Sequence, residues 1–190
     1  MHLSRLISLW SVLLALTLPS LASANTDLQW VEVELRIGAT GATHVTYRCR
    51  WSNPGTDMHG FYLQGTAGHP TFTPSVAVLP GGVTVPLSIV DAGSKWDVVL
   101  GGGMAWGPGE ATYVVEYDTN LLDSGNLSTT TSGDGEVLVT LDWGAVQWDE
   151  PLEHETVTVI FESVPADRTG DLGLDGATAL GLRTEPSVNA

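Results

Sequence analysis

The chain has 190 residues, of which 22 are acidic and seven are Lys or Arg, giving a formal net charge of −15. A surface this acidic repels phosphate backbones and anionic lipid and removes the main electrostatic term of nucleic-acid binding, while leaving proteins, cations and neutral glycans as partners. Charged residues are 15% of the chain against about 25% in ordinary domains, and Gly, Ser, Thr and Val replace them, which favours strands and turns over helices.

At the N-terminus, Arg5 precedes an almost unbroken apolar run from Leu6 to Leu18. Pro19 ends the run, and Ala22-Ser23-Ala24 has the small-x-small form of a cleavage site. This is the pattern of a secretory signal peptide over residues 1–24, and the apolar run falls short of the ~20 residues that span a bilayer. Cleavage leaves 166 residues and removes one base and no acid, so the mature charge is −16. The expectation is an exported protein, periplasmic, cell-surface or secreted, with one domain over 25–165 and no membrane span in the mature chain. A membrane-anchored context stays open. Cys49 is the only cysteine, so no intrachain disulfide can form. Its inward position in a strand pattern predicts a buried apolar side chain.

Period-two alternation starts with "VEVELRI" (31–37), which sets Val31, Val33, Leu35 and Ile37 against Glu32, Glu34 and Arg36. In "VTYRCRW" (45–51), Val45, Tyr47, Cys49 and Trp51 oppose Thr46, Arg48 and Arg50. Both read as half-buried strands. An antiparallel hairpin aligning Val31–Trp51, Val33–Cys49, Leu35–Tyr47 and Ile37–Val45 makes four apolar pairs and places Glu32 opposite Arg50 and Glu34 opposite Arg48. Further strands are predicted at 60–64, 75–79, 83–90, 96–100, 111–117, 136–142 and 155–162, with Gly/Pro/Asn/Asp turns between them. About nine short strands joined by turns predict an all-β fold, an antiparallel β-sandwich of immunoglobulin-like or jelly-roll character, with a closed barrel as the lesser option. Residues 166–190 lose the pattern and read as a linker, a tail or the start of a further domain. "DLGLDG" (171–176) has the opening of a calcium loop, but Gly173 and Leu182 stand where oxygen ligands belong.

Chemistry-bearing motifs are sparse. His44, His59, His69 and His154 lack zinc-ligand spacing, so a metal site is left undetermined. There is no Gly-x-Ser-x-Gly elbow, and the Gly-rich stretch 101–109 has no lysine for phosphate. The acids Asp142, Asp149, Glu150 and Glu153 are numerous enough for a carboxylate pair, but acids at strand ends also serve simply to solvate a surface. No catalytic residue and no cofactor are predicted. Six tryptophans remain after cleavage: Trp30, Trp51, Trp96, Trp106, Trp143 and Trp148. Trp51 and Trp96 fall at core positions, whereas Trp106 sits in a Gly-rich loop expected to be exposed, where its ring would stack on a sugar face. In "WSNPGTDMHGFYLQG" (51–65), Thr56–His59 is too polar for a core and too long for a tight turn. The ligand-binding candidates are therefore Trp106, Asp57 and His59. Trp143 and Trp148 are expected to close one end of the domain, with Pro151 stiffening the path into the last strand and Asp149 and Glu150 pointing outward.

The segment "YVVEYD" followed by "EVLVTLDWGAVQWDEPLEHETVTVIFE" resembles the exported N-terminal β-domain of a group of uncharacterised predicted membrane proteins. The resemblance covers about 50 residues, 111–162, and rests on Trp143, Trp148, Pro151 and Leu152, then Val157, Val159 and Phe161. It implies an extracytoplasmic β-domain belonging to a larger surface or envelope protein and transfers no catalytic residue; this chain shows no later membrane span. The functional expectation is an exported, non-enzymatic interaction or structural module that binds an unidentified protein or a neutral glycan. The alternatives are a carbohydrate-binding module, which needs at least two exposed and roughly coplanar tryptophans, and a metal-binding domain, which needs His59 or His154 near other ligands.

Overall fold

The computed structural model describes residues 26–162 apart from 56, 136, 147, 150 and 151. The expected leader, the segment 166–190, Glu150 and Pro151 lie outside the described residues. The elements in chain order are β1 (Asp27–Ile37), β2 (Ala42–Asn53), β3 (Gly60–Gln64), β4 (Thr71–Phe72), β5 (Val76–Val78), β6 (Thr84–Asp91), β7 (Lys95–Leu100), β8 (Gly109–Asn120), β9 (Leu127–Thr131), β10 (Val137–Leu141) and β11 (Leu152–Phe161), with short 3-10 turns before β6 and after β7. The chain is mostly β, and a strand stands at each predicted segment. Two strands escaped the pattern. β4 is a two-residue pairing on β8, and β9 is the Ser/Thr-rich "LSTTT", which offers no apolar alternation.

One large curled sheet runs in the order β11-β1-β2-β8-β5-β6-β7-β3, with β4 also on β8, while β9 and β10 form a separate pair. The sheet is mixed: β11 runs parallel to β1, from Leu28 opposite Leu152 to Ile37 opposite Phe161. This corrects the expectation of antiparallel pairing throughout. A parallel neighbour requires a long return path, and the whole chain between β1 and β11 supplies it.

The register of the first hairpin also differs from expectation. Val31 lies opposite Cys49, Val33 opposite Tyr47, Leu35 opposite Val45 and Ile37 opposite Thr43. A shift of two residues leaves every side chain on its expected face, so alternation cannot distinguish the two pairings. The turn decides. Gly38 N–H bonds the Ala42 carbonyl at 2.8 Å, Gly41 N–H bonds the Gly38 carbonyl at 3.0 Å, and Gly41 takes φ +78°. A three-residue turn closed by a left-handed glycine fixes the shorter register. A bulge between Leu28 and Trp30 then brings Leu28, rather than Val31, opposite Trp51.

The expected faces hold. Val31, Val33, Leu35, Ile37, Val45, Tyr47, Cys49 and Trp51 are all buried, as are Tyr113, Val115 and Tyr117 of β8. Burying each such side chain is worth about 1.5–3 kcal/mol. Burial pushes the Cys49 thiol and the Tyr47 and Tyr117 hydroxyls well above their ordinary values, which keeps all three neutral. On the outer face, Arg50 finds its acid on β8 rather than on β1. Its Nη2 pairs with Glu110, and its Nε donates to Gln29 at 3.2 Å. Glu32 faces Arg48, and Arg36 pairs with Glu34 of its own strand at 2.8 Å.

The far end of the sheet curls back over its middle. Phe61 of β3 lies 5.7 Å from Trp51 and 5.2 Å from Tyr113, and Trp96 of β7 meets Phe72 at 4.8 Å, ring centre to ring centre. The inward faces of β2, β8, β3 and β7 therefore share one core.

Candidate functional site

The site grows from the sequence "GFYLQ" of β3. Alternation buries Phe61 and Leu63 and leaves Tyr62 half-exposed on the other face. Gly60 has no side chain because β7 passes too close: a Cβ there would collide with the Val98 carbonyl. β3 pairs with β7, from Gly60 opposite Val99 to Gln64 opposite Lys95, and ends the sheet. The His59 carbonyl accepts the Leu100 N–H at 2.9 Å. In an antiparallel ladder main-chain groups alternate sides, so Phe61 and Leu63 turn theirs to β7 while Gly60, Tyr62 and Gln64 turn theirs away. One residue earlier on that outer side, Met58 is already engaged. Its N–H bonds the Trp106 carbonyl at 2.9 Å, and Trp106 N–H bonds the Met58 carbonyl at 3.0 Å. Beyond this bridge, no strand among the described residues pairs with the outer edge of β3.

A half-open cleft of about 280 Å³ lies along that edge, lined by Trp51, Phe61, Tyr62, Gln64, Trp148 and Asp149, with Thr26, Met58 and Gly60 completing the rim. The aromatic wall is continuous. Trp148 stands 6.4 Å from Trp51 at 73° and 5.8 Å from Phe61, and Phe61 meets Tyr113 edge-on at 87°. The indole N–H groups of Trp51 and Trp148 are buried and have no partner among the described residues. Leaving such a donor unpaired typically costs about 1–3 kcal/mol; the Tyr47, Thr73 and Tyr117 hydroxyls, away from the cleft, are buried in the same way. On its exposed side, Tyr62 carries the Lys95 ammonium 3.3 Å above its ring centre, a cation–π contact.

The three sequence candidates come together beside this cleft, but not in the expected form. Trp106 is buried, at 5% exposure, so the expectation of an exposed sugar-stacking ring is corrected. Its Nε1–H donates to the Tyr113 hydroxyl at 2.9 Å, and its carbonyl also accepts from Asn53 Nδ2 at 3.1 Å. The Gly-rich loop folds this ring inward because Tyr113 offers a buried acceptor for the indole. Asp57 and His59 are exposed. His59 Nδ1 lies 3.1 Å from the Met104 carbonyl, which ties it to the same loop. Both line an adjoining depression of about 380 Å³ that they share with Tyr62 and Asp97. The segment 57–59 is thus the strap that joins β3 to the Trp106 loop. Asp149 is exposed, as expected.

The two tryptophans in contact are edge-on rather than coplanar, and Trp51 is buried. Among the described residues, no three His, Cys, Asp or Glu side chains are placed to hold a metal ion. His154 contacts Thr156 at 2.7 Å, and His44 contacts Asp118 at 2.8 Å. Sequence reasoning missed Tyr62, Gln64 and the groove itself. The uncharged strand "GFYLQ" gave no distinct signal, since β4, β5, β9 and β10 also lack charged residues.

No protein-family model matches the chain, and no curated protein matches it. Among solved structures, the M1 zinc metallopeptidase from Deinococcus radiodurans shows 16% identity and a TM-score of 0.37, over 54% of this chain and 22% of that one. A mutant of that enzyme bound to a Tyr-Ser-Ala substrate gives 16% identity and the same TM-score, over 61% and 24%. The chain spans less than a quarter of those proteins, and a likeness this slight carries no assignment of fold or activity. Among the described residues, no helix is long and apolar enough to cross a membrane.

Proposed function

We propose that this chain is an exported, non-enzymatic β-sandwich module that works by binding a partner protein at the cleft beside β3. The carrying observation is the coincidence of an unpaired sheet edge with an aromatic-walled cleft along it. Aromatic surface that accepts a partner and main-chain groups awaiting hydrogen bonds are the ordinary materials of protein recognition. The sandwich reading is supported by the packing of Phe61 on Trp51 and Tyr113, which lays one part of the sheet over another. Export is supported by the three-part pattern of residues 1–24, and an envelope or secreted setting follows from it.

The test places a photo-crosslinking amino acid at position 62 of the full chain in its own host, with the same residue at Glu32, on the outer face of β1, as the control. The reading predicts one discrete protein adduct at position 62 and none at 32, on exported molecules whose N-terminus is Asn25. Equal labelling at both positions, or a chain retained with its leader in the cytoplasm, would overturn it.

A further inference from the structure

We propose that the outer edge of β3 takes a basic, extended peptide as an added strand, with an arginine side chain entering the aromatic cleft. The inference rests on the module reading above and names the partner's chemistry. Three observations converge on it.

The first is the backbone. Gly60, Tyr62 and Gln64 turn their main-chain groups away from β7, and these same three residues line the cleft. A strand added there hydrogen-bonds at alternate residues and sends alternate side chains into the groove. Nature has begun this pairing already: the antiparallel bridge from Met58 to Trp106 occupies the same side of the strap, immediately before the open stretch. A docking peptide continues the line that Trp106 starts.

The second is the contrast between the two ends of the large sheet. β11 carries Glu153 and Glu155, and Glu155 falls in register with the buried Val31. Desolvation pushes its carboxyl above the ordinary value. Both glutamates are exposed, and charged side chains along an edge strand discourage strand addition. β3 carries no charged residue at all. One edge is guarded and the other is open.

The third is charge. Asp149 lines the cleft, and Asp57 and Asp97 line the adjoining depression. The basic residues Arg36, Arg48 and Arg50 lie on β1 and β2. Lys95 already covers the exposed face of the Tyr62 ring, which leaves the Trp148 and Phe61 rings of the cleft as stacking faces for an incoming cation. Arginine fits this set better than lysine, because a planar guanidinium stacks on Trp and Phe faces while its fork meets a carboxylate.

The experiment uses the mature chain, residues 25–190, and a fluorescein-labelled peptide Thr-Val-Thr-Arg-Thr-Val, read by fluorescence polarisation. Two sister peptides replace arginine by citrulline or N-methylate alternate backbone amides. Saturable binding is expected, weakened about tenfold or more by either change, since each removes hydrogen bonds made in a partly desolvated groove. Asp149→Asn is expected to bring the arginine and citrulline peptides to within about twofold of each other. Gln64→Pro removes one free-edge donor without touching the β3–β7 ladder or the aromatic wall and is expected to mimic N-methylation; Tyr62→Pro, which also removes a lining ring, serves if the first variant fails to fold. No binding at about 1 mM peptide, or binding indifferent to N-methylation, would overturn the proposal, the latter showing mere adsorption to an acidic surface. A dimer of this chain abolished by Gln64→Pro would overturn it in favour of self-pairing. A discrete crosslink at position 62 alongside a failed peptide series would keep the module reading and remove this one.

Discussion

The slab formed by β1, β2 and β8 and the end formed by β3 and the Trp148 segment are built by different rules. In the slab, two 12-residue strands and one of 11 pair along most of their length, and one face of each is buried almost without exception. On its outer face Arg50 pairs with Glu110 and Gln29, while inside it the Tyr47 and Tyr117 hydroxyls have no partner among the described residues. The β3 end has a five-residue strand with an open side, a wall of rings drawn from three separate segments, and two buried indole N–H groups without partners. What separates the two regions is strand pairing: the long slab strands are paired along most of their length, and the short β3 has an open side.

That contrast can be broken or sharpened by substitution. The largest effects test whether the two regions share one core. Leu35→Ala in the slab is expected to lose about 2–5 kcal/mol and Phe61→Ala about 3–5 kcal/mol, both measured by urea denaturation. A loss below about 1 kcal/mol for Phe61→Ala would show that β3 merely drapes over the slab. Trp148→Ala comes next. Its ring is partly exposed, so about half of the 3–5 kcal/mol of a fully buried ring is expected, with the far-ultraviolet spectrum unchanged and peptide binding lost. Tyr113→Phe deprives the Trp106 indole of its acceptor and is expected to cost about 1–2 kcal/mol, seen as a lower Tm together with faster amide exchange at Met58 and Trp106. The smallest effect belongs to the exposed outer face of the slab. Hydrogen bonding from Arg50 holds the Glu110 carboxyl below its ordinary value. A depressed carboxyl contributes stability that is fully present above its unfolded value of about 4.3 and is lost as pH falls through the lower folded value. Arg50→Gln is therefore expected to lower the urea midpoint slightly at neutral pH and to leave a shallower loss on acidification.

The slab was largely legible in the sequence and the β3 end was not. Val31 to Ile37 and Val45 to Trp51 announce their buried faces by alternation alone, because each inward residue contacts the same core. Their register was not legible. A two-residue slip preserves every face, and the deciding feature is the left-handed Gly41, whose role depends on turn geometry rather than hydrophobicity. The parallel partnership of β11 with β1 depends on the path of the whole intervening chain, which local pattern cannot encode. Trp106 was misread for a related reason. Glycine-rich surroundings predict an exposed loop, yet one buried hydroxyl 7 residues away along the chain holds the indole inside. Asp57 and His59 flank the Met58 bridge to Trp106, and the cleft they border needs Trp148 and Asp149 from some 90 residues further along the chain. Sites assembled from distant segments leave little trace in any one of them.

The outer edge of β3 is open while its inner edge is paired with β7. Amide hydrogen exchange, followed residue by residue by NMR on the mature chain, measures this directly. Slow exchange is predicted at Phe61 and Leu63, whose amides face β7, and fast exchange at Gly60, Tyr62 and Gln64, whose amides face the cleft. The strands of the slab should be slow throughout. Uniform protection from Gly60 to Gln64 would mean that the edge is already covered, and the proposed docking site would not exist.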